Sequence, residues 1–353
     1  MIYSLYFIIV LLSLRFTSTP QRDVYKYIPP VLFALLIGLR GKSVGVDTIT
    51  YFEHYYIYGK DGCSFVEPGF DFINHTLYLY GFEANSLLFV CGLITVIFIF
   101  LALERYDNGY GFVAICLYTI PFVFICNGLR QAMALAIFMF SIQFIEKKKL
   151  LLYFLFIIFA SLFHNSSLIL LPLYFFVRFS LSWWLYLILY FLSFVFLTFN
   201  VFDFVGNNGI LVLDALDYSD YVLKQTSILE GQASWLGFTY NAFIDFLFLI
   251  FMIRTRMFNK YPVLSNLAFM GFVISNIGYN SPIIGRITIY FYYIKFMLIP
   301  YMLNSQEQKI FGGLNKKQAL GVLYILIFVL LIYNILSPAN KMLPYNFYFE
   351  SNV

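Results

Sequence analysis

Asn127-Gly128-Leu129-Arg130-Gln131, running straight into the apolar stretch Ala132 to Ile145, decides how this chain is built. The stretch reads as a membrane-spanning helix opened by a polar pair, Arg130 and Gln131. A hydrocarbon core takes about 20 apolar residues per helix, with a range of about 17–25. A guanidinium in or beside hydrocarbon is costly. It is there either to anchor the helix at the interface or to hold an anion.

The rest of the composition agrees with a membrane protein. Of 353 residues, 61% are hydrophobic, 22% aromatic and only 11% charged. Soluble domains carry about 25% charged and about 45–50% apolar residues, so a soluble class is excluded. The 44 Phe and 30 Tyr suit interfacial belts and lipid-facing surfaces. Lys+Arg 22 against Asp+Glu 18 is too even a balance for a nucleic-acid partner. Cys91, Cys116 and Cys126 lie in apolar runs, where cysteine acts as a small hydrophobe. Cys63 lies in a polar loop, no metal-ligand spacing occurs, and a Cys63–Cys126 bridge is not expected. Met1 to Leu14 is apolar, with Arg15, Arg22 and Lys26 after it rather than before. That is the wrong flank for a cleaved signal peptide, so it reads as a retained first span with its N-terminus outside.

Apolar runs fall near 1–17, 27–40, 85–103, 110–126, 129–146, 150–163, 166–178, 182–199, 236–253, 262–279, 286–303 and 319–336. The expected fold is an all-α, polytopic membrane helix bundle of about 12 helical segments, a single integral domain over 1–353. Pro29, Pro121, Pro172 and Pro300 should kink or bound helices. Two sizeable loops, 41–84 and 200–235, are placed outside because they are acidic. In the first, Glu67-Pro68-Gly69-Phe70 opens a short helix whose Phe70, Ile73 and Leu77 share a face, as in an interfacial helix. In the second, Asp214–Lys224 reads as a lid or a solvated loop.

Basic residues orient the spans. Arg105, the Lys147–Lys149 cluster, Arg178, the Arg254, Arg256, Lys260 group and the Lys309, Lys316, Lys317 group fall inside. The tail ends outside. This scheme holds only if the chain crosses an even number of times between Lys149 and Arg178, although 150–178 could pass for one long helix. A broken helix pair is therefore expected there, turning at His164-Asn165-Ser166-Ser167. Each arm has only about 13 residues, or about 20 Å, so the break should sit below the outer surface.

With that topology, Arg40, Arg130, His164 and Arg286 collect at outer helix ends, against the usual gradient. Arginine suits bidentate binding of phosphate, and helix N-termini at Arg130 and Arg286 would add their dipoles. Arg40 reads equally well as a flanking anchor. Asp47 and Glu67 read alone as solvated loop carboxylates. Asp245 and Lys295 lie within apolar runs and need partners or water, for which each could serve the other.

A family resemblance rests on these residues. Leu39-Arg40, then Val44-Gly45-Val46-Asp47-Thr48 and Tyr51, resembles the Arg…Gly-x-Asp-Thr…Tyr signature of EpsG-like membrane proteins. Glu67-Pro68-Gly69-Phe70 resembles their next loop motif. Asn127-Gly128-Leu129-Arg130-Gln131 and Leu162-Phe163-His164-Asn165-Ser166-Ser167 resemble their Arg-Gln and Phe-His-x-Ser elements, and Arg286 followed by Tyr290 their late Arg…Tyr element. The matches keep their order over about residues 39–292, with Val46 as a small departure; the tail after 304 matches nothing.

EpsG-like proteins group with the Wzy-type polymerases of bacterial surface polysaccharides. The resemblance implies a bacterial inner-membrane enzyme, related in architecture to GT-C glycosyltransferases and O-antigen ligases, with its site facing the periplasm. It implies transfer of a growing glycan from undecaprenyl diphosphate to a lipid-linked repeat unit, with membrane lipid around it and a chain-length regulator as a further partner. On that reading Arg130, Arg286 and Arg40 bind the diphosphate, and Gln131, Tyr51 and Tyr290 support them. His164 is the first candidate base, since histidine titrates near neutrality, and could equally bind phosphate; Asp47 and Glu67 follow. No Asp-x-Asp pair or His/carboxylate cage occurs, so neither metal nor cofactor is expected. Two other classes stay open: an O-antigen ligase acting on lipid A–core, and a non-enzymatic transporter of lipid-linked glycan. Transport needs polar groups along a path across the membrane, and here they crowd one face.

Overall fold

The structure is a computed structural model that describes residues 2–15, 27–62, 66–104, 121–198, 235–279, 282–303, 309–311 and 314–350. In chain order its main helices are α1 Ile2–Arg15, α2 Ile28–Gly38, α3 Thr48–Tyr58, α4 Pro68–Leu79, α5 Ala84–Leu103, α6 Phe122–Asn127, α7 Leu129–Glu146, α8 Leu150–Ser161, α9 Trp183–Thr198, α10 Trp235–Arg254, α11 Pro262–Ile277, α12 Pro282–Tyr292 and α13 Lys316–Leu336. A short antiparallel ribbon, Lys309–Phe311 with Leu314–Asn315, precedes α13. The chain is thus a helical protein, and α5, α7 and α10 are long and apolar enough, by length and composition, to cross a membrane. Of the apolar run 110–126 only its end, in α6, is described. Arg22, Lys26, Cys63, Arg105, Cys116 and the 200–235 loop up to residue 234, Asp214–Lys224 included, lie outside the described residues.

Local chemistry sets the helix starts. Pro68, Pro262 and Pro282 stand at first positions, where a missing N–H costs nothing. Asn315 and Gln318 exchange bonds in a capping box that opens α13.

The described residues group into two compact units: 1–178 with 296–353, and 179–295. In the first, α7 is the central helix. Ala132 to Met139 are buried without interruption, as suits a helix apolar on every side. An aromatic cluster ties it to α5 and α8, with Phe140 5.0 Å and Phe98 6.4 Å from Phe156, and Phe144 stacked on Phe156 at 5.2 Å.

The chain between Lys149 and Arg178 does turn back on itself. Helix α8 stops at Ser161, Leu162 to His164 are non-helical, and a 3-10 segment, Asn165–Leu170, follows. The Tyr153 hydroxyl donates to Leu170 O at 2.6 Å. Arg178 Nε donates to Ile145 O at 3.1 Å, in the last turn of α7. Arg178 therefore returns to the same end as the lysine cluster. The second arm is not one α-helix; Pro172 interrupts it, and only Leu173–Phe176 is α-helical.

The acidic loop 41–84 is built by α3 and α4. The interfacial face differs from the one expected: Phe70 is buried, 1% exposed, whereas Phe72 and Leu79 are 72% and 65% exposed. Phe70 turns inward because the site lies on that side of α4.

The second unit is held by polar bonds between apolar helices. Tyr186 donates to Asn266 Oδ1 at 2.7 Å and Asn276 to Ser193 Oγ at 2.9 Å. Lys295 Nζ donates to Asp245 Oδ1 at 2.5 Å, each side chain 1% exposed, and lies 3.7 Å from the Tyr292 ring centroid. These two buried charges compensate each other, as burial demands.

Candidate functional site

Four stretches of the first unit meet, and each is shaped to fit the next. The first is the loop Arg40–Tyr51. Gly45 has φ +90 there, and a Cβ on it would meet Asn127 Oδ1 at 2.9 Å. Only glycine takes that backbone without strain. The close approach lets Val46 N–H donate to Asn127 Oδ1 at 2.7 Å. Tyr51 Oη accepts from Leu129 N–H at 3.0 Å, satisfying one of the free donors that open α7. Burial pushes the Tyr51 phenol up to about 12, so it stays protonated.

Arg40, read from sequence as a diphosphate ligand, locks this loop. It is 0% exposed. Its Nε donates to Thr48 Oγ1 at 3.0 Å and its Nη2 to Cys126 O at 2.9 Å. Its Nη1 also donates to Ile37 O at 3.4 Å, so protein acceptors hold the guanidinium on three sides. The tail, which matched nothing in the sequence reading, covers the same loop. Gly41 N–H donates to Asn346 O at 2.7 Å, Gly45 N–H to Lys341 O at 2.8 Å, and Tyr348 N–H to Leu39 O at 2.9 Å.

The second junction joins Glu67-Pro68-Gly69-Phe70 to the hairpin turn. Gly69 N–H donates to Leu162 O at 2.8 Å, and a Cβ on Gly69 would lie 2.7 Å from that oxygen. Glycine is required here for closeness. Glu67, extended at φ −66 and ψ 141, is the N-cap of α4, but its carboxylate points elsewhere. Oε1 accepts from His164 Nδ1 at 2.8 Å and from Asn165 N–H at 3.3 Å, and Oε2 accepts from Arg130 Nη1. Arg130 also lies over the Phe70 ring, 5.8 Å from its centroid.

Electrostatics fixes the roles. Burial by itself would push the Glu67 carboxyl up. The hydrogen bond from His164 and the Arg130 charge outweigh it and hold the group at about 2. Glu67 is therefore ionised, and its carboxylate orients two partners, His164 and Arg130. An accepting carboxylate on Nδ1 places the imidazole proton there and leaves Nε2 as the basic nitrogen. Nε2 is buried and has no hydrogen-bond partner among the described residues; neither has Ser167 Oγ. A buried polar atom in that state is a position for one further hydrogen bond. Arg130, with 31% of its side chain exposed, keeps a face toward solvent.

The structure thus brings Arg130, Glu67 and His164 together, with Tyr51 beside them and Gln131 buried next in sequence, 5% exposed. Asp47, half-buried, is the N-cap residue of α3. Arg286, half-buried in α12, and Tyr290, fully buried, belong to the second unit. Sequence reasoning missed His54 and Asp71, which pair at 3.2 Å. A signal existed: Asp71 follows Glu67 by four residues, one turn along the same helix face. Among the described residues no three His, Cys, Asp or Glu side chains gather as a metal-holding group.

Comparison with curated proteins and with solved structures finds no match. The EpsG family model matches residues 23–347, from before Arg40 into the tail that closes over it. All four junction-forming stretches lie inside that span, and the chain belongs to the EpsG family.

Proposed function

We propose that this protein is a Wzy-type polysaccharide polymerase of the bacterial inner membrane, a glycosyltransferase acting at the periplasmic face. It moves a growing glycan from undecaprenyl diphosphate to the terminal sugar of a lipid-linked repeat unit. The observation that carries this reading is Glu67 gripping Arg130 and His164 at once, with His164 Nε2 left bare.

The donor brings its own activation, so the protein must stabilise departing negative charge and remove one proton. His164 Nε2 takes the acceptor hydroxyl proton. The new sugar–oxygen bond forms as the anomeric carbon–oxygen bond to the diphosphate breaks. The diphosphate leaves with that electron pair and is held by Arg130. Asp47 is the remaining carboxylate that could serve as base. Glu67 does no chemistry itself; it sets the imidazole tautomer and aims the guanidinium.

Arg130→Ala tests this. The variant should insert normally yet extend chains about 10²–10³-fold more slowly, the usual cost of losing one charge-stabilising donor. Cells should carry single repeat units in place of long polymer. Normal chain length in that variant would sink the assignment. Absence of even single units from the lipid A–core would identify a ligase instead.

A further inference from the structure

One turn along α4 from Glu67, a second carboxylate meets a second imidazole. His54 Nε2 lies 3.2 Å from Asp71 Oδ1, and both side chains are 11% exposed. Asn74 Nδ2 donates to His54 O at 3.4 Å, while Asn74 Oδ1, buried, finds no partner among the described residues. The His54 ring sits 4.9 Å from Tyr58 and 5.3 Å from Phe70. Phe70 is also the ring beneath Arg130 and, at 6.0 Å, beside Tyr51. His54 and Arg130 therefore share one aromatic side chain, and Asp71 follows Glu67 by four residues, about 6 Å along a helix. That spacing is close to the width of one sugar ring.

We propose that His54 and Asp71 form a subsite for the acceptor sugar. The inference rests on the polymerase reading above and adds where its second substrate is held. Asp71 accepts sugar hydroxyls, His54 bonds one more, and Tyr58 covers a C–H face of the ring. The charges sort the two substrates. Burial holds the His54 imidazole below its usual range; Asp71 opposes that and the nearby Arg130 charge adds to it. His54 is then neutral at pH 7. With no cation of its own the pair suits a neutral polyol, while Arg130, on the other side of Phe70, takes the diphosphate.

The competing role is a plain clip between α3 and α4. Binding separates the two, with full-length protein in lipid vesicles. The probes are an alkyl glycoside of the repeat unit, which can accept but not donate, and undecaprenyl diphosphate. His54→Ala and Asp71→Asn should each weaken glycoside binding about tenfold. Retention of undecaprenyl diphosphate and the melting temperature should stay at wild-type values. Wild-type glycoside affinity in both variants would overturn the subsite. So would failure of the wild type to bind the glycoside, or parallel loss of melting temperature and of both ligands. Because binding needs no turnover, the two proposals fail separately. A wild type that binds the glycoside but never extends it defeats the polymerase reading alone.

Discussion

Glu67 is asked to do two things with one carboxylate, and both can be measured. Glu67→Gln keeps the size but not the charge, so the His164 tautomer is no longer fixed and Arg130 loses its counter-charge. Chain extension should fall about 10²-fold or more, the usual worth of a positioned base. The same carboxylate links stability to pH. Its folded value, about 2, lies below the ordinary 4.5, so its contribution is whole above pH 4.5 and disappears as pH falls toward 2. The shift corresponds to something on the order of 3 kcal/mol. Melting temperatures of wild type and Glu67→Gln in detergent should differ at pH 6 and converge by about pH 2; a constant gap would refute the link. At this scale the sequence was half legible. Arg130 and His164 stand out because charge and imidazole are costly beside hydrocarbon. Arg40 looks the same by that criterion, yet Thr48 and Cys126 O absorb its donors. Contacts between segments distant in sequence decide that, and no local pattern shows them.

Between elements, the site depends on two glycine approaches. Gly69→Ala would drive a methyl onto Leu162 O and separate Glu67 from His164. The expected result is a protein that inserts, melts at a lower temperature and extends chains about 10²-fold more slowly, as a misplacement of about 1 Å can cost. Wild-type rates would show the junction to be slack. The helix pair was legible from charge parity alone, because an odd number of crossings would reverse every later loop. The α3–α4 packing was not. Counting apolar residues put Phe70 on the exposed face, whereas Phe70 fills the space under Arg130 and beside Tyr51.

For the whole molecule, membrane orientation follows from the hairpin. Single cysteines placed at Lys148 and at Arg178 should react with a membrane-impermeant thiol reagent from one and the same side, the cytoplasmic side on the polymerase reading. Labelling from opposite sides would remove the hairpin and invert everything after it. Membrane class was plain in composition, since 61% hydrophobic and 11% charged residues leave no soluble alternative. The division into two compact units was not, because apolar runs look alike whichever neighbours they pack on.

The cover over the Arg40 loop has a consequence for how the protein is made. Asn346 Nδ2 reaches Ser43 Oγ across 303 positions of sequence, and Tyr345 Oη reaches Leu36 O across 309. Every helix between must be threaded into the bilayer before those bonds can close. During synthesis the Gly-x-Asp-Thr loop waits, with Gly41 and Gly45 amides still solvated, for a segment the ribosome has not yet released. A nascent chain stopped at Ser337 would leave that loop uncovered, so the loop takes its final form only late in synthesis.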